Sequence, residues 1–472
     1  MFTAWLNSST FKRLFLFLIV AFSISIIAQL NTKISFIIIA ITFLSIVCFI
    51  LPINVLLYLL FFTASIDISP ITIYDTYLRP WQIIATIIIL KSIPLFKKIK
   101  LTKLMLLVLL MFIIFLPSIP YVKDMSGFLV LTFGQLLLSL TIIFVAIQLN
   151  EKDMIDKYYK VFQYGIYFII FFGLIQWIGY HIPGGTLIFG MPKASFAGYI
   201  RPRSLLNEPD WYGVVCLIGF FMSLGKMVRN KKFYFCSKYN IFLIICSIAL
   251  ILSAVRAAIL GVAIGTIIFF IIKKINLLHK FKMIFISFYL IIFLAILVMS
   301  IIKITGYNTL LDRLNPYTTY NTNIAAITSR KGSLNLAWDM FKKHPIVGNG
   351  AGSLGYQSGL IENWLLYNNG QSLTIGRGNV NLFMTTLADS GLIGLIVLLI
   401  FIMSLLSIKN TGEFEYLTDL KVILFSCLVS FQFSNGFREG FIWIMLVFMV
   451  AIDRYNKLHL KEDITINEYI NN

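Results

Sequence analysis

The sequence predicts an all-α, polytopic integral membrane protein with about 12–14 transmembrane helices and a large extracytoplasmic loop that carries amphipathic helices. Hydrophobic residues make up 59% of the 472 residues and charged residues only 12%, more apolar surface than one water-soluble core could bury. The apolar segments are continuous, whereas the strands of a transmembrane barrel would alternate. Helices are therefore favoured, because they satisfy their backbone hydrogen bonds within hydrocarbon.

Each predicted helix is an apolar run that is close to the length needed to cross the hydrocarbon layer. The predicted spans lie at 14–30, 34–51, 53–66, 81–95, 104–119, 128–148, 160–180, 210–226, 240–255, 257–272, 283–302, 380–407, 422–436 and 440–452. The first run lacks a small-residue cleavage site and is followed at once by another run. We therefore expect it to be a membrane anchor and not a cleaved signal peptide.

The basic residues predict the orientation, because short loops rich in lysine and arginine remain cytoplasmic. Lysine-rich loops at 91–103, 226–238 and 273–282 place both termini in the cytoplasm. The predicted organisation comprises N-terminal helices within 1–302 with an extracytoplasmic loop at 181–209, a large extracytoplasmic loop at 303–379, C-terminal helices at 380–452 and a cytoplasmic tail at 453–472.

The net charge of +19 would suggest a nucleic-acid partner in a soluble protein. Here the charges are sorted by loop, so the bilayer is the predicted partner and nucleic acid is not. Four of the five cysteines lie in apolar runs and the fifth, Cys236, lies in a predicted cytoplasmic loop. No disulfide framework is therefore expected.

Arginine is concentrated on the predicted extracytoplasmic side, whereas lysine predominates on the cytoplasmic side. The guanidinium group binds phosphate through two parallel hydrogen bonds, which indicates an extracytoplasmic ligand that contains phosphate. Alternatively, these side chains extend to the membrane interface or pair with carboxylates. The candidate pyrophosphate-binding residues are Arg201, Arg203, Arg256, Arg330, Arg377 and Arg438.

The first extracytoplasmic loop ends in a dense polar group immediately before an apolar run. Arg201 and Arg203 could bind a phosphate there, and Glu208 or Asp210 could accept a proton from an attacking hydroxyl group. The same carboxylates could instead cap the next helix, with Pro209 in its first turn. The two roles are compatible.

Two further arginines occupy positions that helix stability does not explain. Arg256 lies in a break so short that the flanking spans form a tight hairpin, and a charge near membrane depth is costly unless it is paired or lines a polar cavity. Arg330 opens a predicted amphipathic helix, where a cation opposes the helix dipole. Both positions indicate a functional site, whereas Arg438 could be neutralised by Glu439 alone.

The amphipathic helix is predicted at 329–343, with an apolar face of Leu334, Ala337, Trp338 and Phe341. The glycine-rich segment 348–352 lacks the ending of a phosphate-binding loop and is interpreted as a tight turn. No spacing predicts a metal site. Carboxylates are nearly absent from the predicted spans, which argues against an ion-coupled transporter.

Four stretches resemble the O-antigen ligase and polymerase superfamily of bacterial envelope glycan enzymes. They are RSLLNEP at 203–209, LSAVRAA at 252–258, SR at 329–330 followed by Trp338 and HPIVGNG at 344–350, and NLFMTTLADSGLIG at 381–394. Their order and their predicted side of the membrane also match. The motifs are short, so they identify a superfamily better than a member.

This resemblance implies a multi-pass protein of the bacterial inner membrane that transfers a glycan from undecaprenyl pyrophosphate to an acceptor sugar hydroxyl group. Arg203, Arg256 and Arg330 would then hold the pyrophosphate and stabilise it as the leaving group. The donor is already activated, so no nucleotide, metal or other cofactor is expected. A partner that regulates chain length is plausible from the family, but no residue indicates one.

One departure from the family pattern bears on the reaction. Ligases that transfer glycan to lipid A core typically have a histidine immediately before the position of Asn381, where this chain has Val380. Polymerases that join repeat units commonly lack it, so the resemblance favours a Wzy-type polymerase of O-antigen or capsular polysaccharide, with a ligase as the alternative. A flippase for lipid-linked oligosaccharide ranks below both, because few charges line the spans.

Overall fold

The structure is a computed structural model that describes residues 50–67, 72–73, 76–77, 79–94, 101–181, 194–196, 199–229, 238–273, 333–354, 381–433 and 435–470. The predicted spans 14–30 and 283–302, nearly all of 34–51, and the candidate residues Arg330 and Arg377 lie outside the described residues.

The described part of the chain is almost entirely helical, which confirms the all-α prediction. Its helices are α1 (Ile53–Thr63), α2 (Pro80–Ser92), α3 (Lys103–Ile113), α4 (Met125–Gln148), α5 (Lys152–His181), α6 (Pro209–Arg229), α7 (Lys238–Ser253), α8 (Arg256–Ile272), α9 (residues 333–343), α10 (Leu382–Leu406), α11 (Leu417–Ser430) and α12 (Gly440–Ile470). A short 3₁₀ helix, Leu116–Tyr121, follows α3.

Within the described residues, five segments are long and apolar enough to cross a membrane. They are Lys103–Tyr121, Met125–Gln148, Lys152–Tyr180, Pro209–Arg229 and Leu382–Leu406. Helices α1, α2, α7 and α8 are shorter but also apolar. The length and composition of these helices are those of a polytopic integral membrane protein.

Helix α6 lies at the centre of the bundle. Its most apolar window is 83% buried, against 39–56% for the other four long segments, and it packs against α5, α7, α8 and α11. Pro209 and Asp210 open the helix, and Lys226 and Arg229 lie in its last turn. The acid at the first turn and the bases at the last turn both interact favourably with the helix dipole, and each end presents charged residues to the adjoining loops.

Two small antiparallel hairpins in the loops were not predicted from the sequence. Strand β1 (Thr72–Ile73) pairs with β2 (Thr76–Tyr77), and β3 (Ala194–Phe196) pairs with β4 (Tyr199–Arg201). Strands of two or three residues are too short to show an alternating pattern.

The predicted apolar face of the amphipathic helix is wrong in part. Helix α9 buries Leu336, Ala337 and Met340 against Leu354 and Ala388. In contrast, the predicted contact residue Trp338 is 47% exposed, with its ring 5.2 Å from that of Phe341. The compact Ala337 and the flexible Met340 fit the surface of α10, so the helix is rotated away from the face that its aromatic residues suggest.

Candidate active site at one end of the helix bundle

The loops that precede α2, α6, α8 and α12 meet at one end of the bundle, and most of the described candidate residues lie in them. Close packing brings these loops together. Gly213 of α6 lies against Val255, because a Cβ atom added at this glycine would come within 2.6 Å of the valine side chain. Trp211 packs equally closely on Gly436, which lies before α12.

Arg201 and Asp210 bind each other. The guanidinium group of Arg201 is 8% exposed, and its Nη2 lies 2.5 Å from Oδ1 of Asp210. Its Nε donates a hydrogen bond of 2.8 Å to the carbonyl oxygen of Ser253, at the end of α7. Arg201 therefore joins the start of α6 to the α7–α8 hairpin, which carries Arg256.

The next arginine, Arg203, is held through its backbone. Oε1 of the buried Gln176 accepts hydrogen bonds from the amides of Arg203 and Ser204, at 3.1 and 2.8 Å. Ser204 has a φ of 57°, an uncommon conformation for a residue other than glycine. Nε of Arg203 is buried and has no hydrogen-bond partner among the described residues. A rigid backbone thus presents a guanidinium group with spare hydrogen-bonding capacity.

Asp67, Arg79 and Glu439 form a buried cluster beside this loop. Arg79 pairs with Asp67 and lies 3.0 Å from Glu439, and the amide of Asp67 donates to the carbonyl oxygen of Leu205 at 2.9 Å. Two carboxyl groups share one arginine here. The cluster was not predicted from the sequence, because Glu439 is far from Asp67 and Arg79 in the chain.

Burial has the largest effect on the pKa values of Asp67 and Glu439. It raises the pKa of Asp67, while Arg79 opposes the rise and the nearby charge of Glu208 adds to it. Burial likewise raises the pKa of Glu439, to about 7. The cluster therefore favours a proton on one of the two acids near neutral pH.

A further buried carboxylate, Asp389, lies within α10, so the prediction that the spans nearly lack carboxylates overlooked a structurally important one. Asp389 forms an ion pair with Arg438, in which Oδ2 of Asp389 lies 2.9 Å from Nη2 of Arg438. The same carboxylate accepts hydrogen bonds from the amides of Gly352 and Ser353, at 3.1 and 3.0 Å. Arg438 is thus paired with Asp389, and Glu439 is paired elsewhere, contrary to the neutralisation considered above.

The glycine-rich segment is a tight turn, as predicted, and it is inserted into a kink of α10. Gly348 and Gly350 have positive φ angles, and so does Gly391, where α10 is not helical. The amide of Leu392 donates to the carbonyl oxygen of Pro345 at 2.9 Å in place of a partner within the helix. A turn from the large loop is thereby fixed to a membrane helix.

Among the candidate residues that the structure describes, Glu208 and Arg256 are exposed. Glu208 lies in the loop between the Asp67 cluster and Asp210, and Arg256 is the first residue of α8. The roles of all these residues remain predictions. Asp67, Arg79, Glu439 and Asp389 were not predicted as site residues from the sequence. The available signal for Asp389 was the presence of an acid within an apolar run.

The helical fold and the band of paired and exposed arginines define a polytopic membrane protein with a charged site at one end of its bundle. Residues 241–399, from α7 to α10, match the family model Wzy_C, described as O-antigen ligase. This match over residues 241–399 supports the predicted resemblance to the O-antigen ligase and polymerase superfamily. No curated protein sequence matches the chain.

The family match supports an enzymatic role of the ligase or polymerase kind in O-antigen biosynthesis. The matched region includes Arg256, the 348–352 turn and Asp389. Arg203, Glu208 and Arg438 lie outside it, but the contacts described above bring Arg438 to Asp389 and the Arg201 loop to the α7–α8 hairpin.

Proposed function

We propose that this protein is a polysaccharide polymerase of the bacterial inner membrane. It would transfer a glycan from undecaprenyl pyrophosphate to a hydroxyl group of a second lipid-linked repeat unit, on the extracytoplasmic face. The observation that carries this proposal is that the charged residues at the start of α6 differ in ion pairing and in exposure. Arg201 and Asp210 form an ion pair with each other. In contrast, Nε of Arg203 is buried without a hydrogen-bond partner among the described residues, and Glu208 is exposed.

The proposed chemistry assigns one task to each group. The acceptor hydroxyl oxygen attacks the anomeric carbon of the donor, the bond from that carbon to the phosphate oxygen breaks, and undecaprenyl pyrophosphate leaves as an anion. Arg203 and Arg256 bind the pyrophosphate and stabilise its developing charge, and Arg330 is proposed to assist. Glu208 accepts the hydroxyl proton, because Asp210 is already paired with Arg201.

Arginine can perform here what a divalent cation performs in many pyrophosphate-releasing enzymes, which is to neutralise the leaving group. We therefore expect transfer to continue after divalent cations are removed with a chelator. Loss of activity on chelation, with recovery on addition of a single divalent metal, would contradict the proposed metal-independent mechanism.

The test is the surface polysaccharide ladder of a deletion strain complemented with wild-type protein or with Glu208→Gln at matched expression. A polymerase is supported if the deletion strain carries core plus one repeat unit. Glu208 is supported as the base if Glu208→Gln does not restore the ladder in that strain. Glu151→Gln is the matched control, since Glu151 is exposed before α5, at the other end of the bundle. A full ladder from Glu208→Gln would remove Glu208 from the mechanism.

A ligase that transfers glycan to lipid A core is the second candidate, and the description of the matched family favours it. The same strain distinguishes the two reactions. Loss of a ligase leaves core without any repeat unit and lipid-linked polymer inside the envelope, whereas loss of a polymerase leaves single repeats on the core.

A further inference from the structure

A cavity of about 510 Å³ lies at the opposite end of the bundle from the candidate active site. Its walls come from α5, the last turn of α6, the start of α7 and the segment 412–416. Helix α6 has 21 residues, so the two sites are roughly 30 Å apart along its axis, about the thickness of the hydrocarbon layer.

Four cations line the cavity: Lys152, Lys160, Lys226 and Arg229. Arg229 pairs with the buried Asp419 and lies 3.7 Å from Glu415. Among the residues that the structure describes, the three lysines form no salt bridge. Nζ of the half-buried Lys226 donates to Oε1 of Gln163, which is a neutral acceptor, and lies 5.6 Å from the ring of Tyr239.

The wall also holds three acids, one fewer than its cations. Asp156 accepts a hydrogen bond of 2.9 Å from the hydroxyl group of Tyr416, and Glu415 faces Arg229. Glu413, an exposed residue, is the remaining acid of the lining. The lining therefore has a small net positive charge, and around the half-buried Lys226 burial limits screening by water and salt.

Two buried donors in the same wall also have spare capacity. Gln163 is 1% exposed and Tyr159 is 3% exposed. Nε2 of Gln163 and the hydroxyl group of Tyr159 lie near each other, and in the described part of the chain neither has another hydrogen-bond partner. Buried polar groups of this kind are normally satisfied, so a ligand or water that brings acceptors is favoured.

We infer that this cavity binds a phosphate group, with Lys160 and Lys226 as its direct cationic contacts. A phosphate carries several strong acceptor oxygens and a full negative charge, which suit convergent lysine and amide donors. The phosphate can belong to an anionic lipid headgroup, because the cavity lies at the end of a membrane-spanning helix, or to a soluble phosphate. The site is separate from the proposed reaction and does not depend on it.

The test measures thermal unfolding of the purified full-length protein with phosphatidylglycerol, with phosphatidylcholine, and with inorganic phosphate against chloride at equal ionic strength. Stabilisation by phosphatidylglycerol alone identifies a lipid headgroup, and stabilisation by inorganic phosphate identifies a soluble ligand. Both results support the site. Equal midpoints under all four conditions would overturn it.

Variants assign the effect to the cavity. Lys160→Gln together with Lys226→Gln should weaken binding by roughly tenfold for each charge-assisted hydrogen bond removed. Lys157→Gln together with Lys409→Gln removes the same charge at exposed positions outside the cavity and should bind like wild type. If the first double variant does not fold, Lys160→Gln alone applies the test, since Lys160 is exposed. Wild-type affinity in the cavity variants would contradict the inference.

Discussion

At the scale of single residues, neighbouring arginines differ in what their surroundings allow. Arg201 is buried and donates hydrogen bonds to Asp210 and to the carbonyl oxygen of Ser253. Arg203 has its backbone held by Gln176 while its side chain keeps an unpaired Nε. The first is suited to positioning a loop and the second to binding a ligand, although both have the same chemistry in the sequence.

This difference predicts opposite phenotypes for two alanine variants. Arg201→Ala should lower the free energy of unfolding by about 2 kcal/mol, since it leaves Asp210 and a buried carbonyl group without a partner. Arg203→Ala should leave stability near wild type and reduce transfer by roughly 10²–10³-fold, the loss typical of one removed donor to a developing anion. Thermal unfolding and transfer assays on the two proteins check both statements. An active, stable Arg203→Ala protein would contradict the proposed role.

The Asp67 cluster predicts a dependence of stability on pH. The pKa of Glu439 rises from an ordinary value of 4.5 to about 7 on burial. The folded protein therefore binds this proton more tightly than the unfolded chain does. The stabilisation is complete below about pH 4.5 and is lost as the pH rises through about 7.

Glu439→Gln should flatten this dependence, because an amide does not titrate. We expect the difference in unfolding free energy between pH 5 and pH 8 to shrink by about 1–3 kcal/mol. Glu413→Gln is the exposed control and should keep the wild-type profile. A Glu439→Gln protein with an unchanged pH profile would show that this acid is ionised throughout.

At the scale of elements, the kink in α10 and the glycine-rich turn packed into it are joined by backbone hydrogen bonds. The interruption at Gly391 frees backbone groups of α10, and the 345–353 segment pairs with them. A side chain at Gly391 would meet the carbonyl oxygen of Ile346 at 2.4 Å, so the turn and the helix fit only with glycine there. Asp389 completes the junction through Gly352, Ser353 and Arg438.

Asp389→Ala should therefore release the turn from the helix without unfolding the bundle. We expect the amides of Gly352 and Ser353 to lose about 1–3 kcal/mol of protection against hydrogen exchange, because each loses a charged acceptor. Asp339→Ala removes a partly exposed acid of α9 and should leave these amides protected. Unchanged exchange in Asp389→Ala would mean that the backbone pairs hold the turn by themselves.

At the scale of the whole molecule, the two charged regions lie at opposite ends of α6. The active-site loops are arginine-rich, and the lysine-lined cavity adjoins the other end. The predicted orientation places the first region outside and the second in the cytoplasm. This arrangement separates the proposed glycan transfer from the phosphate site by the thickness of the membrane.

Cysteine labelling checks this orientation. In a protein whose five native cysteines are replaced by serine, an impermeant maleimide applied to intact spheroplasts should label Lys123→Cys and not Glu413→Cys. Both positions are exposed and flank opposite ends of the bundle. Permeabilised cells, in which both should react, provide the control. The reverse pattern in intact cells would invert the topology.

The amino-acid sequence was sufficient to predict a membrane environment, a helical secondary structure and a resemblance to one superfamily. Apolar runs of spanning length leave helices as the favoured structure in hydrocarbon, and the boundaries of α4, α6, α8 and α10 agree with the predicted spans within a few residues. The short motifs around Arg256 and Asn381 were enough to indicate the family that residues 241–399 match.

The pairing of charges became evident only from the folded structure. Asp67 and Arg79, from the two ends of the α1–α2 connection, meet Glu439, which lies more than 300 residues further along the chain. Asp389 looks like an isolated acid until the glycine turn and Arg438 surround it. Ion pairing depends on distances of a few ångströms between side chains from different elements, and composition and spacing do not specify those distances. Spacing in the sequence therefore predicts a set of candidate arginines, and the packing of the loops shows that Arg201 and Arg438 among them form ion pairs.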